Sequence, residues 1–129
     1  MKLPIIDTNI QIRFADLDPL GHVSNNSYSQ YFEVARLDWF NAIGIARPMS
    51  VLANVNVDFL GEINLNDKIH VTTKCVKKGT KSLQLAHDIY ANDVLVTKST
   101  AVIVGFDQKT RKSCALLEGW DVSQAVEGS

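Results

Sequence analysis

Several features that would assign a protein to a class at once are scarce in this sequence. Its 129 residues include only two cysteines, Cys75 and Cys114. They form no C-x-x-C pair, and two are too few for a secreted disulfide framework. No apolar run approaches the roughly 20 residues that cross a bilayer. The first ten residues, MKLPIIDTNI, lack the unbroken apolar segment of a signal peptide. We therefore expect a cytoplasmic protein without a membrane span.

An excess of one charge is also missing. The formal net charge is −1, so the chain has no basic field for wrapping nucleic acid, and we expect no nucleic-acid partner. No Pro/Gly/Ser-rich linker and no repeat divides the sequence, and its length suits one domain over residues 1–129. The three histidines have no H-x-x-H spacing, which predicts that there is no metal site.

What the sequence does contain is a change of hydrophobic period. Residues 9 to 15, NIQIRFA, alternate apolar and polar side chains, which predicts a strand with one buried face. From Tyr28 onwards, apolar residues recur at steps of three and four, which is typical of an amphipathic helix: Tyr28, Phe32, Ala35, Trp39 and Ile43. The cap-forming residues 24 to 26 predict its start, and Gly44 predicts its end.

After Pro48 the pattern is that of strands. Four β-branched or alternating runs cover residues 50–61, 68–76, 82–91 and 94–106, separated by turn residues. The last stretch, from residue 116 onwards, has no clear period and is read as a short helix or a tail. An apolar helix stripe must be covered, and an antiparallel sheet can cover it. We predict an α+β fold, a curved five-stranded antiparallel sheet wrapped around one long helix.

Polar residues are concentrated immediately before the helix, in FADLDPLGHVSNNSYSQYF. Asp18 precedes a proline and should stay extended, and Gly21 permits a turn. The first amides of the helix have no internal partner and carry its positive dipole end. A carboxylate beside such amides can attack a carbonyl and stabilise the resulting oxyanion. Capping explains the asparagines but not Asp18, which comes too early. For Asp16 we expect a solvated or salt-bridged strand end.

At this point the sequence resembles a known family. The run DLDPLGHVSNNSYSQYFEVARLDWF is similar to the signature of hot-dog-fold acyl-CoA thioesterases related to 4-hydroxybenzoyl-CoA thioesterase: D-x-D-x-x-G, then a helix Y-x-x-x-F-E-x-A-R. The run VNVDFLGEINLNDKIHV is similar to that family's second strand, turn and third strand. The resemblance covers residues 9 to about 107 and implies a hot-dog fold, the architecture that the hydrophobic period also predicts.

The resemblance implies roles for residues of this loop. The family's catalytic aspartate falls on Asp18, its glycine on Gly21, and the amide that polarises the thioester carbonyl on Asn25. The run GHVSNNSY is also similar to the H-V-x-N-N-x-Y run of acyl-ACP thioesterases, which adds His22 and Asn26 to the predicted catalytic residues. Those enzymes have an asparagine two residues after the aspartate, where this chain has leucine, so an acyl-CoA substrate is favoured.

The substrate implied is an acyl-CoA, with coenzyme A as part of the substrate and no separate cofactor. Its phosphates need basic groups, and the densest are in VKKGTKS, where Lys77, Lys78, Lys81 and Ser82 are the candidates. Tyr28 and Phe32 are predicted to line the acyl pocket. The resemblance also implies a homodimer or homotetramer with active sites between subunits, so that the lysines would serve a partner's Asp18.

The predicted activity is hydrolysis of an acyl-CoA thioester, with Asp18 as nucleophile or general base and the helix amides as oxyanion hole. Two alternatives remain open. A hydratase or dehydratase acting on acyl-thioesters would also use an acid and a histidine, for which Asp18 and His22 are candidates. A non-catalytic acyl-CoA binding module would keep the cavity without turnover.

Overall fold

The computed structural model describes residues 2–45 and 49–123. In chain order the elements are strand β1, a short 3-10 turn, helix α1 and strands β2 to β6. Their bounds are Ile6–Ile10 for β1, Phe14–Asp16 for the turn, Asn25–Ala42 for α1, Ser50–Phe59 for β2, Ile69–Lys78 for β3, Ser82–Ala91 for β4, Val94–Asp107 for β5 and Lys112–Ser113 for β6.

All the strand pairs are antiparallel, and the order across the sheet is β1-β3-β4-β5-β2. The two-residue strand β6 pairs with the end of β5 outside this order. Helix α1 packs on one face of the sheet. The predicted α+β architecture, five main strands and one long helix, is confirmed.

Helix α1 has the predicted limits. Ser24 is its N-cap residue, and Gly44 adopts a φ of +83° just beyond its end, where the amide of Ile45 donates to the carbonyl of Phe40. One face of the helix is buried: Ser27, Tyr28, Tyr31, Phe32, Ala35, Trp39 and Phe40. The first half of this face packs on one end of the sheet and the second half on the other, so the core has two clusters along the helix axis.

The strand predicted over residues 9 to 15 is wrong in its position. The strand instead covers Ile6–Ile10, where it pairs with β3, and the chain then turns. The turn forms because the carboxylate of Asp16 accepts the backbone N–H of Arg13 at 3.0 Å and its guanidinium at 2.8 Å. A contact between an acidic and a basic side chain therefore overrides the local alternation.

Strand β2 lies at the edge of the sheet, and the helix covers it only in part. All ten residues of the observed strand fall in the predicted run of residues 50–61, but eight of these ten are exposed. The register shifts between Leu52 and Asn54, so Leu52 lies opposite the buried Ile103 while Val51 faces the other side, opposite Val104. This bulge puts Val51 on the opposite face from Val55, Val57 and Phe59, which keep the predicted alternation.

The end of the described chain is tied to its beginning. Residues 116–123 form turns and no helix, and Asp121 forms a bridge with Lys2. The amide of Leu3 donates to the carbonyl of Asp121 at 3.0 Å. Residues 124–129 of the predicted tail lie outside the described residues. Over residues 2–45 and 49–123, no helix has both the length and the apolar composition to cross a membrane.

Candidate active site

The loop before α1 closes on itself and pairs Asp18 with His22, two residues before the N-cap Ser24. Leu17 and Val23 form an antiparallel bridge. Inside this bridge the amide of Asp18 donates to the carbonyl of His22 at 2.7 Å, and the amide of Gly21 donates to the carbonyl of Asp18 at 3.0 Å. Gly21 has a φ of +85°, which favours glycine on backbone grounds alone, since a Cβ would meet nothing within 4 Å. The predicted turn at Gly21 is confirmed.

The Asp18 carboxylate is half-buried, and the loop engages one of its two oxygens. Its Oδ1 accepts the N–H groups of Leu20 at 2.9 Å and His22 at 3.1 Å. Across residues 2–45 and 49–123, Oδ2 has no hydrogen-bond donor from the protein. The backbone therefore fixes the orientation of the carboxylate and leaves one oxygen able to react.

The start of the helix offers two adjacent amide donors. The amides of Ser27 and Tyr28 donate to the carbonyl of Ser24 at 3.0 and 3.4 Å. The amides of Asn25 and Asn26 make no hydrogen bond within the described part of the chain, and both residues are exposed. They lie at the positive end of the helix dipole. This end can therefore hold an oxyanion close to the Asp18 loop.

His22 is anchored by a residue that the sequence analysis did not identify. Its Nε2 lies 3.2 Å from Oε2 of Glu62, and its side chain is 33% exposed. Its backbone also bridges to Asn64, in the turn between β2 and β3. Glu62 is distant in the chain, so no local spacing indicates this contact. The role predicted for His22 stays a prediction.

Asp16, two residues before Asp18, is a buried structural residue with 1% exposure. Its Oδ2 accepts the Tyr31 hydroxyl at 2.7 Å, and its backbone carbonyl accepts the amide of Ser24 and the hydroxyl of Ser27, both at 2.9 Å. Burial raises the pKa of Asp16, but hydrogen bonds from the Arg13 backbone, Tyr31 and the Arg13 side chain outweigh it, so the net pKa is lowered. Of the two expectations for Asp16, the salt-bridged one is confirmed and the solvated one is wrong.

The predicted acyl-contacting residues lie inside the core of the chain. Tyr28 packs edge-on against Phe59, with ring centroids 5.0 Å apart. Phe32 lies one turn further along α1, with its ring centroid 5.6 Å from that of His87. Both rings thus lie on the buried face of the helix, C-terminal to the free amides of its first turn. Their contact with an acyl group stays a prediction.

The basic group predicted for coenzyme A lies at the other end of the sheet. Lys77, Lys78, Lys81 and Ser82 surround the turn between β3 and β4. The Asp18 loop instead contacts the connection that leads into β3, because the amide of Val23 donates to the carbonyl of Ile63 at 2.9 Å. Ten residues of β3 separate the two ends, about 30 Å at 3.3 Å per residue. A single chain does not bring these lysines to Asp18.

Two further clefts flank these regions. One, of about 470 Å³, lies at the same end of the sheet as the Asp18 loop and is lined by Asn9, Ile10, Gln11, Ile12, Leu65, Asp67, Lys68 and Ile69. The other, of about 420 Å³, adjoins the β3–β4 turn and includes Lys2, Lys78 and Trp120. Among the described residues, no group of three or more His, Cys, Asp or Glu side chains could hold a metal ion.

A helix on an antiparallel sheet, with a polar loop at the helix N-terminus, is the arrangement of the hot-dog-fold thioesterases. The chain belongs to the thioesterase-like superfamily, whose family model matches residues 12–122.

Relatives and solved structures agree with this assignment. The chain is 28% identical over 122 residues to the long-chain acyl-CoA thioesterase FadM of Escherichia coli, covering 86% of this chain and 90% of the relative. It is 33% identical to a Thermus thermophilus thioesterase solved in complex with coenzyme A and Zn, with a TM-score of 0.79, covering 90% and 93% of the two chains. The 4-hydroxybenzoyl-CoA thioesterase of a Pseudomonas species shares the fold at a TM-score of 0.78, with 18% identity, covering 87% and 93%.

Proposed function

We propose that this protein hydrolyses acyl-CoA thioesters to a free acid and coenzyme A. The observation that carries this proposal is the Asp18 carboxylate, which the amides of Leu20 and His22 orient. Among the described residues its second oxygen has no donor, and its loop leads directly into the free amides of the helix start. The superfamily assignment and the relatives named as acyl-CoA thioesterases support this activity. The structure of a similar thioesterase with coenzyme A bound supports the CoA part of the substrate.

The chemistry requires an attack on the thioester carbonyl carbon. In one route a carboxylate oxygen of Asp18 attacks, coenzyme A leaves as a thiolate that takes up a proton, and water then hydrolyses the acyl-aspartyl anhydride. In the other route Asp18 removes a proton from water, the resulting hydroxide attacks, and the C–S bond breaks so that coenzyme A leaves as a thiolate that takes up the proton from Asp18. In both routes the amides of Asn25 and Asn26 stabilise the oxyanion, and a donor in this role contributes about 3 kcal/mol in other acyl-transfer sites.

His22 is proposed to help position the substrate or share proton transfer. Its imidazole is a third exposed and adjoins Glu62, so the ring has a fixed partner on one side and access to solvent on the other. Gly21 supports the site through the turn that aligns Asp18 with the helix.

The proposed assembly is a homodimer formed through β2. This ten-residue edge strand has unpaired N–H and C=O groups on its outer side, and long edge strands are usually covered or protected. Its exposed apolar side chains include Val51, Leu52, Val55 and Phe59. Pairing with a second copy would satisfy the backbone and bury these side chains.

A two-fold axis through β2 would also complete the active site. The Ser50 end of β2 adjoins Gly105, and β5 carries the β3–β4 turn next to it through Val104 and Ser82. The Phe59 end lies on the side of the Asp18 loop. Antiparallel pairing of two β2 strands places the partner's Ser50 end against this chain's Phe59 end. The partner's Lys77, Lys78 and Lys81 would thereby approach Asp18 and can meet the phosphates of coenzyme A.

The decisive experiment is a panel of acyl-CoAs assayed for free thiol, for enoyl absorbance and for binding by calorimetry, with Asp18→Asn as the control variant. Thiol release that depends on Asp18 is the expected result. Loss of enoyl absorbance without thiol release would select a hydratase instead. Binding without either signal would select a non-catalytic module.

The dimer has its own test. Val55→Lys places a charge in the middle of the exposed face of β2 and should convert the dimer to a monomer in light scattering, with loss of thiol release. Lys78→Ala with Lys81→Ala should raise KM for acyl-CoA and leave KM unchanged for a short acyl-thioester that lacks the nucleotide. A wild-type monomer at micromolar concentration would contradict this assembly.

That no separate cofactor or metal takes part, and that the protein is cytoplasmic, stay predictions.

A further inference from the structure

A row of polar side chains crosses the inner face of the sheet beneath α1. Thr73 on β3 lies opposite His87 on β4, and His87 lies opposite Ser99 on β5. Directly opposed residues of antiparallel strands share a face, so the three side chains are neighbours. All three are buried, and His87 is fully inaccessible. Polar residues at these positions interrupt a face that is otherwise apolar.

The row is only partly satisfied by hydrogen bonds. Nδ1 of His87 is 3.0 Å from Oγ1 of Thr73. Nε2 of His87 and Oγ of Ser99 have no partner in the part of the chain that the structure describes, and neither does the nearby Oγ1 of Thr97. Buried polar atoms are nearly always hydrogen-bonded, so unpartnered ones call for an explanation. Two of them side by side indicate a site for a group that the chain itself does not supply.

This row lies beyond the proposed oxyanion site, along the path that an acyl group would follow. Phe32 packs on His87, and Phe32 is six residues after Asn26 on α1. Six residues of helix rise about 9 Å. On β2, Val57 lies opposite Ser99 and Phe59 lies opposite Thr97. Phe59 packs on Tyr28 of the helix, yet neither β2 residue is buried, because the helix covers this strip only in part. An acyl group lying on this strip would have the polar row beside it.

The atoms of the row select a neutral partner. Burial, with the charge of Arg36 adding to it, lowers the pKa of His87 to about 3, so the imidazole is neutral at physiological pH. A neutral imidazole and a hydroxyl can each donate or accept one hydrogen bond, according to tautomer and rotamer. A hydroxyl group on the ligand can also do either. A carboxylate or an ammonium group would have to enter a buried environment that opposes charge.

We infer that Nε2 of His87 and Oγ of Ser99 bind a hydroxyl group on the acyl chain, about 9 Å beyond the thioester carbonyl. This inference rests on the proposed acyl-CoA hydrolysis and narrows it to hydroxylated acyl groups in preference to plain alkyl groups of the same length. His87 and Ser99 are then substrate-binding residues that determine specificity, and Thr73 is a positioning residue that orients the imidazole.

The test compares octanoyl-CoA with its ω-hydroxy analogue, and benzoyl-CoA with its para-hydroxy analogue. The para-hydroxyl lies closer to the thioester carbonyl than the ω-hydroxyl does. The wild-type kcat/KM should favour the ω-hydroxy substrate by roughly tenfold, the effect of one well-made neutral hydrogen bond. His87→Leu should reverse the preference, Ser99→Ala should reduce it, and His87→Gln, which retains a donor and an acceptor, should restore part of it. The aryl pair should show a smaller preference.

Ile89→Val is the matched control, because Ile89 is equally buried on the same strand and carries no polar atom. It should leave the hydroxyl preference unchanged. Binding of each pair to the Asp18→Asn variant, measured by calorimetry, gives the preference without turnover, so a failure of hydrolysis and a failure of this inference are separable. Equal binding of both members of each pair, with His87→Leu and Ser99→Ala lowering both alike, would overturn the inference and leave internal water as the partner of these atoms.

Discussion

Asp16 and Asp18 are two residues apart, yet their surroundings are opposite. Asp16 is buried, and the Arg13 backbone, the Arg13 side chain and Tyr31 all donate to its carboxylate. Asp18 is half-buried, and within residues 2–45 and 49–123 only the amides of its own loop donate to its carboxylate. Both of the Asp16 oxygens are occupied, whereas one Asp18 oxygen is available. The same residue type therefore maintains the loop at one position and can perform chemistry at the other.

The difference comes from neighbours that the two carboxylates meet in three dimensions. Tyr31 lies on the second turn of α1 and points back to the loop, where it reaches Asp16. The turn at Gly21 folds the amides of residues 20 and 22 onto Asp18. Asp16 also holds the first turn of α1 through Ser24 and Ser27, so the structural aspartate positions the amides that the proposed catalytic aspartate requires.

The largest expected effect is that of Asp18→Asn on turnover. The amide keeps an oxygen that accepts the Leu20 and His22 N–H groups, so the loop should retain its shape. Loss of the nucleophile or base should lower kcat by roughly 10² to 10⁴-fold. Steady-state thiol release and urea unfolding should be measured on the same preparation, and the free energy of unfolding should remain within about 0.5 kcal/mol of wild type. A wild-type rate would remove Asp18 from the catalytic role.

Asp16→Asn should show the reverse pattern. Its NH₂ group would face the Arg13 amide or the Tyr31 hydroxyl, and the ion pair with Arg13 would be lost. Because Arg13 is largely exposed, we expect about 2 kcal/mol lower free energy of unfolding, mainly from the unsatisfied buried groups. Urea unfolding would measure it. If this variant lost turnover like Asp18→Asn while keeping full stability, the roles assigned to the two aspartates would be exchanged.

Acid should reduce the difference in free energy of unfolding between wild type and Asp16→Asn. The folded pKa of Asp16 lies below the ordinary value of 3.8, so its stabilisation is present above pH 3.8 and is lost as the pH falls through the folded pKa. The pKa of His87 is lowered from 6.5 to about 3, so both proteins should lose stability from pH 6.5 downwards. This loss cancels in the difference between their free energies of unfolding. Unfolding curves of the two proteins at a series of pH values would give both the shared loss of stability and the difference between them. A difference in free energy of unfolding that stays constant below pH 3.8 would contradict the assignment of this stabilisation to Asp16.

The smallest expected effect is that of Tyr31→Phe. The hydroxyl donates to a carboxylate at 2.7 Å, and removal of such a bond should lower the free energy of unfolding by about 1.5 kcal/mol. Tyr90→Phe is a suitable control, since Tyr90 is half-exposed and stacks on His70; it should change stability by less than about 0.5 kcal/mol. Equal effects in thermal unfolding would mean that the Tyr31 bond contributes no specific stability.

Much of the fold was predictable because its cause is local in the chain. The apolar residues that recur at steps of three and four from Tyr28, with the glycine at position 44, predicted α1. The alternating runs predicted the bounds of β3 to β5 to within a few residues. The errors have non-local causes. Asp16 and Arg13 turned the chain where residues 9 to 15 predicted a strand. The bulge after Leu52 put Val51 on the opposite face from the later apolar residues of β2.

The sequence by itself determined helix α1, strands β3 to β5, the turn at Gly21 and the presence of an acid before a helix start, because these depend on backbone preferences and on side-chain period over a few residues. Only the tertiary structure decided which aspartate is buried, that Glu62 meets His22, and that the lysines lie at the other end of β3 from the Asp18 loop, about 30 Å along the strand. It also decided that Nε2 of His87 and Oγ of Ser99 have no partner among the described residues beneath the helix. Those facts depend on which strands become neighbours, and strand pairing joins residues that no local pattern connects.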